Sequence, residues 1–503
     1  MPTRLALILL AYLFDGNMKQ IFLLFFLLGL STTMAQNIQP TDSLDLPEMV
    51  TPTKKQPWKA AVQTIGLNIG VWAFDRYILN EDFARISIHT IKDNIRNGFV
   101  WDNDKFSTNL FAHPYHGSLY FNTARSNGMN FWESAPYALG GSLMWEIAAE
   151  REPPAINDLI ATTLGGIALG EFTYRMSSLV LDDSKRGFPR FAREFLGTLL
   201  SPIRGMNRLI SGDMWKVRNR GYSYHDYEEM PVKLSISSGN RYLANSTRLF
   251  RGEHNPYIKI QTLYGNPFEN KNSQPYDYME ASITFGLSPN QPIINHVNLL
   301  GKIWSTPIPT KGDNEMMFGI FQHFNYYDSE KVSDDGAIPY KISEAASIGP
   351  GIISRFPEIF PHINLQQDFF LSGILLGGGL TDYYNVIDRN YNMGSGYSAK
   401  SLTKLEIGKW ADINFKAHLY QIFTWKGYEK KDYQYTDPLF LNAQGDKGNT
   451  LFFVLNPTYN LRFKKHLKVS FEVAYYLRHT HYSYHQDVET QLVETRIGLT
   501  YEF

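Results

Sequence analysis

The sequence predicts an α+β protein, in which an N-terminal α-helical domain is followed by an antiparallel transmembrane β-barrel of about 12 strands. Aromatic residues make up 15% of the 503 residues and charged residues only 19%. From about residue 231 onward, apolar and polar residues alternate, as in strands with one apolar face. The mean hydropathy of −0.29 is too polar for a bundle of membrane-spanning helices, but it is typical of a barrel with a polar interior.

Charge and cysteine content exclude several classes of function. The 48 Lys and Arg residues are balanced by 49 Asp and Glu, so the chain lacks the basic excess of a nucleic-acid-binding protein. The absence of cysteine excludes disulfides, thiolate metal sites and a cysteine nucleophile. Neither a P-loop, a dinucleotide-binding fingerprint nor a metalloprotease motif occurs in a suitable context. We therefore expect no cofactor and no metal ion.

The N-terminus has the composition of an export signal. Met18-Lys19-Gln20 is a positively charged start, Ile21–Leu30 is an apolar stretch, and Thr33-Met34-Ala35 resembles a cleavage site. We predict that residues 1–35 form a signal peptide, and Met18 is a possible true start. Residues 36–56 are rich in proline and polar residues, which predicts a disordered linker.

The last two strands show the alternation most clearly. One face of each is apolar: Val493, Thr495, Ile497, Leu499, Tyr501 and Phe503, and before them Leu467, Val469, Phe471, Val473, Tyr475 and Leu477. The other face carries the charges: Glu494, Arg496, Gly498, Thr500 and Glu502, and before them Lys468, Ser470, Glu472, Ala474, Tyr476 and Arg478. In a barrel that spans lipid, the apolar face points outward and the polar face points into the lumen.

We assign residues 231–503 to the barrel. The predicted strands lie near 231–238, 256–265, 278–287, 296–305, 315–327, 342–354, 363–378, 398–409, 412–426, 449–463, 467–479 and 491–503. The first four are the least distinct, so counts from 10 to 14 remain open. Counted back from Phe503, the connections near 427–448 and 379–397 are long and predicted to be external, whereas the short turns are predicted to be periplasmic. At 266–277 and 288–295 the lengths are reversed, because the connection predicted to be periplasmic is longer than the one predicted to be external.

The C-terminus also resembles a known recognition signal. Arg496, Gly498, Tyr501 and Phe503 have the spacing of the C-terminal signal of bacterial outer-membrane proteins. The resemblance implies an outer membrane of a Gram-negative bacterium, with the barrel-assembly machinery and outer-membrane lipid as partners.

Residues 57–230 are predicted to be a helical domain. Three blocks carry a family resemblance: HPYHGSLYFNTARSNG (113–128), FWESAPYALGGSLMWEIAAE (131–150) and INDLIATTLGGIALGE (156–171). Together they resemble the domain of unknown function 3943, a family found in predicted outer-membrane proteins. The family implies no activity and supplies no catalytic residues. We expect this domain in the periplasm, because a twelve-stranded barrel has a narrow lumen.

Two glycine pairs in the helical domain predict close helix contacts. Gly66 and Gly70, and likewise Gly166 and Gly170, lie four residues apart on one helical face. A face without side chains lets a second backbone approach closely.

Polar residues of the helical domain form a candidate site. The candidate catalytic residues are His113, Arg125, Glu146, Glu150 and Asp158. A histidine paired with a carboxylate could act as a general base, and an arginine could hold an anionic headgroup. Alternatively, these residues satisfy one another structurally, with Arg125 paired to Glu146 or Glu150.

A second set of candidates lines the predicted lumen: Lys416, His418, Glu472, Arg478, Glu494 and Arg496. These side chains would either set the selectivity of a passage or pair and close it. His479, His481 and His485 lie in a predicted external loop, which we interpret as a polar loop rather than a metal site.

Two functions follow as hypotheses. The favoured one is a non-enzymatic role in the envelope, such as structure, a partner platform or passage of a small polar solute. The alternative is an enzyme that modifies outer-membrane lipid with the helical cluster.

Overall fold

A computed structural model describes residues 54–102, 104–217, 231–245, 248–269, 274–332, 338–383, 389–429 and 445–503. The predicted signal peptide, its possible start at Met18 and almost all of the predicted linker lie outside the described residues. The boundaries of these segments therefore stay predictions.

The N-terminal part of the described chain is helical. Its α-helices are α1 (Pro57–Tyr77), α2 (Ile88–Asn97), α3 (His113–Arg125), α4 (Phe131–Ala148), α5 (Ile156–Ile160), α6 (Gly166–Val180), α7 (Gly187–Leu200) and α8 (Pro202–Ser211). Two π-helical turns, Thr108–Ala112 and Ala161–Gly165, lead into α3 and α6. Among the described residues, no helix is both long enough and apolar enough to cross a membrane.

Several helix starts follow from local chemistry. Asn130 accepts a hydrogen bond from the Glu133 backbone, and the Glu133 side chain accepts one from the Asn130 backbone, which forms a capping box before α4. Ser87 and Thr90 form the same arrangement before α2. Pro57 and Pro202 lie in the first turns of α1 and α8, where a missing N–H costs nothing.

The C-terminal part is an antiparallel sheet. Its strands are β1 (Val232–Asn245), β2 (Arg248–Tyr264), β3 (Met279–Gly286), β4 (Ile294–Ile308), β5 (Glu315–Asp328), β6 (Lys341–Phe360), β7 (Ile363–Leu380), β8 (Tyr391–Ile407), β9 (Ala411–Thr424), β10 (Gly448–Lys464), β11 (Leu467–Tyr482) and β12 (Val488–Glu502).

The sheet closes into a barrel, which confirms the predicted fold class and the count of 12 strands. Each strand pairs with its sequence neighbours, and β1 pairs with β12. At this closing seam Gly239 lies opposite Gly498, and Ile236 lies opposite Tyr501. Closure pairs every strand on both sides, so no strand edge is left to associate with other chains.

The strand boundaries differ from the predicted ones mainly at β2 and β8. β2 begins at Arg248 rather than near 256, and β8 begins at Tyr391 rather than near 398. Both extensions carry polar or glycine residues, which weakened the periodic signal. The reversed loop lengths predicted at 266–277 and 288–295 are confirmed, since residues 265–278 separate β2 from β3, whereas only residues 287–293 separate β3 from β4.

The contacts divide the chain into two units. One contains the helices up to Val100 and from Ala112 onward, and it is called the helical unit below. The other contains the strands together with Trp101–Phe111. Residues 101–111, which the sequence analysis assigned to the helical region, therefore group with the barrel.

Each unit has its own interior. Inside the barrel, buried side chains from several strands form one cluster, which includes Tyr327, Tyr340, Tyr420, Phe452 and Tyr476. In the helical unit α3 packs closely on α6, where a Cβ at Gly166 would lie 2.5 Å from the carbonyl carbon of Gly117. The contact predicted for Gly166 and Gly170 is confirmed. The one predicted for Gly66 and Gly70 is wrong, because nothing lies within 4 Å of a Cβ at either position.

Candidate functional site

The inward faces of the barrel strands form the first candidate site. Along β12, Glu494 and Arg496 are buried, whereas Ile497 and Leu499 are exposed on the outer surface. Along β11, Glu472 and Arg478 are buried in the same way. The structure therefore places these four predicted lumen residues inside the barrel, because successive side chains of a strand point to opposite faces.

Three of these residues form one ion-pair network. Arg496 Nε lies 2.5 Å from Glu494 Oε1, and Arg496 Nη1 lies 3.4 Å from Glu472 Oε1. Glu472 also accepts a hydrogen bond from Lys259 Nζ on β2 at 3.3 Å. A buried charge is stable only when it is paired and hydrogen-bonded, and this network fulfils that condition.

The network reaches across the lumen. The Tyr340 hydroxyl, directly before β6, donates a hydrogen bond to Glu494 Oε2 at 2.9 Å. Strands β6 and β12 are six positions apart in the ring of 12 strands, so they lie on opposite sides of the barrel. Arg241 on β1 donates to the same Tyr340 hydroxyl at 3.0 Å. At this level, a direct contact therefore bridges opposite walls of the lumen.

A second contact crosses the lumen elsewhere. Lys404 Nζ on β8 lies 2.5 Å from Glu280 Oε1 on β3, although these strands are five positions apart. Nearby, Lys400 on β8 pairs with Glu344 on β6 at 2.7 Å. Opposite charges from different walls thus occupy the space that an open pore would leave to water.

The remaining predicted lumen residues have different surroundings. Arg478 forms two hydrogen bonds of 2.6 Å to the carboxylate of Asp382, which follows β7. His418 Nδ1 lies 3.3 Å from the Tyr420 hydroxyl. Lys416 lies within electrostatic range of Lys259 and Glu472, but it makes no ion pair within 4.0 Å among the described residues.

Residues Trp101–Phe111, called the inserted segment below, pack against the barrel interior. The Phe106 ring lies 5.3 Å from the Tyr326 ring and 5.2 Å from the Tyr391 ring, measured between centroids. The Tyr391 hydroxyl donates to the Asp104 carbonyl at 2.6 Å and accepts from Asn109 at 2.8 Å. These tyrosines lie at the strand ends that carry the long connections, which the sequence analysis predicts to be external.

The second candidate site is the polar cluster of the helical unit. His113 Nε2 lies 3.5 Å from Asp158 Oδ1, which also accepts a hydrogen bond from Asn157 at 2.7 Å. Glu146 Oε2 accepts a hydrogen bond from the Ala155 backbone at 2.8 Å. The predicted histidine–carboxylate pair thus forms, but His113 and Asp158 are each only 4% exposed.

Arg125 belongs to a different network, which corrects its predicted pairing with Glu146 or Glu150. Its guanidinium binds Glu171 through two hydrogen bonds, of 2.7 and 3.1 Å. Arg175 binds the same carboxylate at 2.7 Å, and Arg125 also stacks 4.5 Å from the centre of the Tyr174 ring. Glu150 instead accepts a hydrogen bond from the Trp145 indole. Arg125 pairs with Glu171 because α3 packs on α6, and the guanidinium then binds this carboxylate with two N–H groups.

His116 lies in the same cluster, although it is not among the predicted catalytic residues. Its ring lies 4.6 Å from the Tyr120 ring and 5.2 Å from the Trp145 ring, measured between centroids. Burial, together with the neighbouring His113, lowers the pKa of His116 to about 3, so the ring is neutral at physiological pH. Burial also raises the pKa of Tyr120 well above its usual range, assisted by the charges of Glu146 and Glu150. The sequence feature that could have identified His116 as a site residue is the run His113-Pro114-Tyr115-His116, which places two histidines three positions apart.

The histidines near the β11–β12 connection each face a carboxylate of their own. His481 Nδ1 lies 2.9 Å from Asp487, and His479 Nδ1 lies 3.8 Å from Glu489. His485 Nε2 lies 3.5 Å from Asp446. His479 and His481 lie within β11, so the predicted loop location is wrong for these two residues and holds only for His485, in the connection before β12.

One segment of the chain matches a known family. Residues 98–203 match the family described as a domain of unknown function, DUF3943, which confirms the family resemblance of that segment. No match to the sequence was found among curated proteins.

Several solved structures are similar to the chain at low identity. The NanC porin has a TM-score of 0.25 and 11% identity, with 53% of this chain and 98% of that chain covered. The KdgM porin in complex with disordered oligogalacturonate has a TM-score of 0.24 and 11% identity, with 54% and 99% covered. The translocator domain of the autotransporter NalP from Neisseria meningitidis has a TM-score of 0.23 and 10% identity, with 55% and 90% covered.

Proposed function

We propose that this protein is an outer-membrane β-barrel with a closed resting lumen and a non-enzymatic role in the envelope, as a membrane anchor and platform for its helical unit. The observation that carries the proposal is the hydrogen bond between Tyr340 and Glu494, which joins opposite walls of the barrel at 2.9 Å. A constitutive pore requires a continuous water-filled lumen, and a contact that bridges opposite walls supports a lumen obstructed at this level.

The outer surface supports a location in a membrane. Large apolar side chains are exposed around the barrel: Trp304, Phe369, Leu371, Phe415, Phe471, Ile497 and Leu499. A soluble protein rarely exposes so many large apolar residues together, whereas a lipid-facing barrel surface requires them. The proposed host is a Gram-negative bacterium, with outer-membrane lipid around the barrel.

Assembly by the barrel-assembly machinery through Arg496, Gly498, Tyr501 and Phe503 remains part of this proposal. The periplasmic location of the helical region also stays a prediction.

Passage of a small polar solute would require a rearrangement of the lumen. Both the Tyr340–Glu494 contact and the inserted segment would have to move, since Phe106 fills the space between Tyr326 and Tyr391. The charged residues along the walls would then meet the solute. A closed resting state is therefore compatible with a gated passage but not with a permanently open one.

The lipid-modifying enzyme is the less well supported alternative. It requires His113, Arg125, Glu146 and Asp158 to converge on a cleft that a lipid can enter. All four residues are at most 4% exposed, and the described contacts of Arg125 lead to Glu171 rather than to Glu146. Buried polar residues that are bonded to one another in this way are typical of residues that stabilise a helix bundle.

Single-channel recording in planar bilayers tests the closed lumen. We expect the folded wild-type protein to show no steady conductance, because opposite walls are in contact. Tyr340→Ala combined with Phe106→Ala and Lys404→Ala should produce current steps, since both rings and the Lys404–Glu280 contact across the lumen are removed. Tyr397→Ala, which removes a ring that is 44% exposed, is the matched control and should stay silent. A steady conductance of the wild-type barrel would contradict the proposal.

A further inference from the structure

The helical unit has an unusual distribution of charge, with its ion pairs inside. Beneath α7 and α8, Arg208 Nη2 lies 2.7 Å from Asp183 and 2.6 Å from Glu194. Arg190 binds the same two carboxylates at 2.9 and 2.8 Å. All four side chains are buried. The charged faces of these helices therefore point toward the interior of the unit rather than toward solvent.

The outward faces of the same helices are apolar. Phe188, Phe191 and Phe195 are 71%, 62% and 42% exposed. With Leu199 they recur every three or four residues along α7, which places them on one side of the helix. We define the α7–α8 apolar face as the exposed apolar residues of this helix pair: Phe188, Phe191, Phe195, Leu199, Leu209 and Ile210. An apolar surface of this size marks a region that contacts something other than water.

Basic residues border this face at both of its chain ends. Lys185 and Arg186 directly precede α7, and Lys216 follows α8. Each of the two lysines is more exposed than its acidic partner. The side chain of Lys185 is 34% exposed and that of its partner Asp182 is 13% exposed. The side chain of Lys216 is 55% exposed and that of its partner Asp213 is 16% exposed. The charge that the border presents to its surroundings is therefore positive.

Aromatic and aliphatic residues on one face, bordered by exposed basic residues, are the features of a helix that lies in a membrane interface. We propose that the α7–α8 apolar face docks on the surface of a lipid bilayer that carries anionic phosphate headgroups. The phenylalanine rings would enter the boundary between headgroups and acyl chains, and Lys185, Arg186 and Lys216 would contact the phosphates.

The docking rests on the proposed function in one respect, because the barrel must hold the chain in a membrane. The helical unit joins the barrel unit directly between Val100 and Trp101 and again between Phe111 and Ala112. Because both units belong to one chain, a barrel anchored in lipid raises the effective concentration of the helical unit at the bilayer, so weak contacts are sufficient for docking.

The absence of native cysteine allows a site-specific test in the full-length protein. Phe191→Cys is labelled with a polarity-sensitive fluorophore, and the protein is reconstituted into vesicles of phosphatidylcholine and phosphatidylglycerol. We expect blue-shifted emission that brominated phosphatidylcholine quenches. Glu152→Cys, at an exposed polar position of the helical unit, is the matched control and should show water-like emission without quenching.

A label on the barrel separates this inference from the proposed function. Leu371→Cys, on the outer barrel surface, reports whether the barrel itself lies in lipid. If Leu371→Cys is quenched and Phe191→Cys is not, the docking proposal is overturned while the barrel location stands. If neither is quenched, the membrane location fails as well.

Charge reversal tests the electrostatic part. Lys185→Glu, Arg186→Glu and Lys216→Glu together should lower the ratio of docked to undocked helical unit on anionic vesicles by at least about fivefold, because each basic residue near an anionic surface contributes measurably. Binding to vesicles of phosphatidylcholine alone should not change. A different result would indicate contact with a second copy of the chain. If the label at Phe191→Cys is blue-shifted but not quenched, and the protein sediments as a dimer, the docking proposal is overturned.

Discussion

At the scale of single residues, burial decides the chemistry more than residue type does. Glu171 and Asp75 are both fully buried carboxylates in the helical unit. Glu171 is bound by two arginines, so its charge is compensated. Asp75 has no hydrogen-bond partner for its carboxylate oxygens among the described residues. An uncompensated carboxylate in an apolar environment prefers its neutral form.

This difference predicts a pH dependence of stability that depends on Asp75. Burial, together with the nearby charge of Glu81, raises the pKa of Asp75 from 3.8 to about 7. The folded state therefore binds the proton more tightly than the unfolded chain does. Its stabilising contribution is complete below about pH 4 and is lost as the pH rises through about 7, with a change on the order of a few kcal/mol.

Asp75→Asn should remove this dependence, because the amide cannot ionise. Urea unfolding followed by the helical circular-dichroism signal, at pH values on both sides of 7, measures the effect. Asp82→Asn, whose side chain is 81% exposed, is the control and should keep the wild-type profile. An unchanged slope in the Asp75 variant would show that another group is responsible.

At the scale of secondary-structure elements, similar sequence motifs have different consequences. The two Gly-x-x-x-Gly pairs look alike in the sequence, yet only the pair in α6 meets another helix. Gly166 faces the backbone of Gly117, whereas Gly70 faces open space. Glycine spacing predicts that a helix can be approached, but the arrangement of the other helices decides whether it is.

The glycine pairs therefore predict substitutions of opposite sign. Gly166→Ala should destabilise the helical unit by about 1–3 kcal/mol, because the added methyl group meets backbone atoms that cannot move independently. Gly70→Ala should stabilise it by about 0.5–1 kcal/mol, because alanine favours an exposed helix interior. Chemical unfolding of the two variants side by side measures both effects. Equal changes would contradict the described α3–α6 contact.

At the scale of the whole molecule, the closing seam between β1 and β12 completes the barrel. A Cβ at Gly239 would lie 2.0 Å from the Ile497 carbonyl oxygen and 2.5 Å from the Gly498 Cα. The two strands thus approach at a point where neither carries a side chain. Closing contacts of high sequence separation form late and are costly in chain entropy, so this seam is sensitive to substitution.

Gly239→Val should reduce the fraction of closed barrel, because the branched side chain cannot fit against β12. Migration on unheated SDS gels measures this fraction, since closed barrels run as compact species until they are boiled. Ile236→Val, at a neighbouring position of the same strand, is the control and should migrate like the wild type. Full closure of the Gly239→Val barrel would show that the seam is wider than the structure indicates.

Much of this protein follows from the sequence alone. The alternation in β11 and β12 assigned Glu472, Arg478, Glu494 and Arg496 to the inward face. The same pattern predicted about 12 strands, with counts from 10 to 14 left open, because a period of two residues is a property of the extended backbone itself. The three motif blocks at 113–171 likewise identified the family resemblance, because each block is a continuous stretch of sequence.

The tertiary structure alone decided which side chains meet. Tyr340 and Glu494 are 154 residues apart in the chain, and their contact depends on β6 and β12 lying opposite each other. Arg125 pairs with Glu171, 46 residues away, because α3 packs on α6. No periodic pattern encodes such partners, since they depend on strand order, barrel shape and helix packing. Whether the lumen is open, and which buried charges are compensated, are therefore properties of the folded chain.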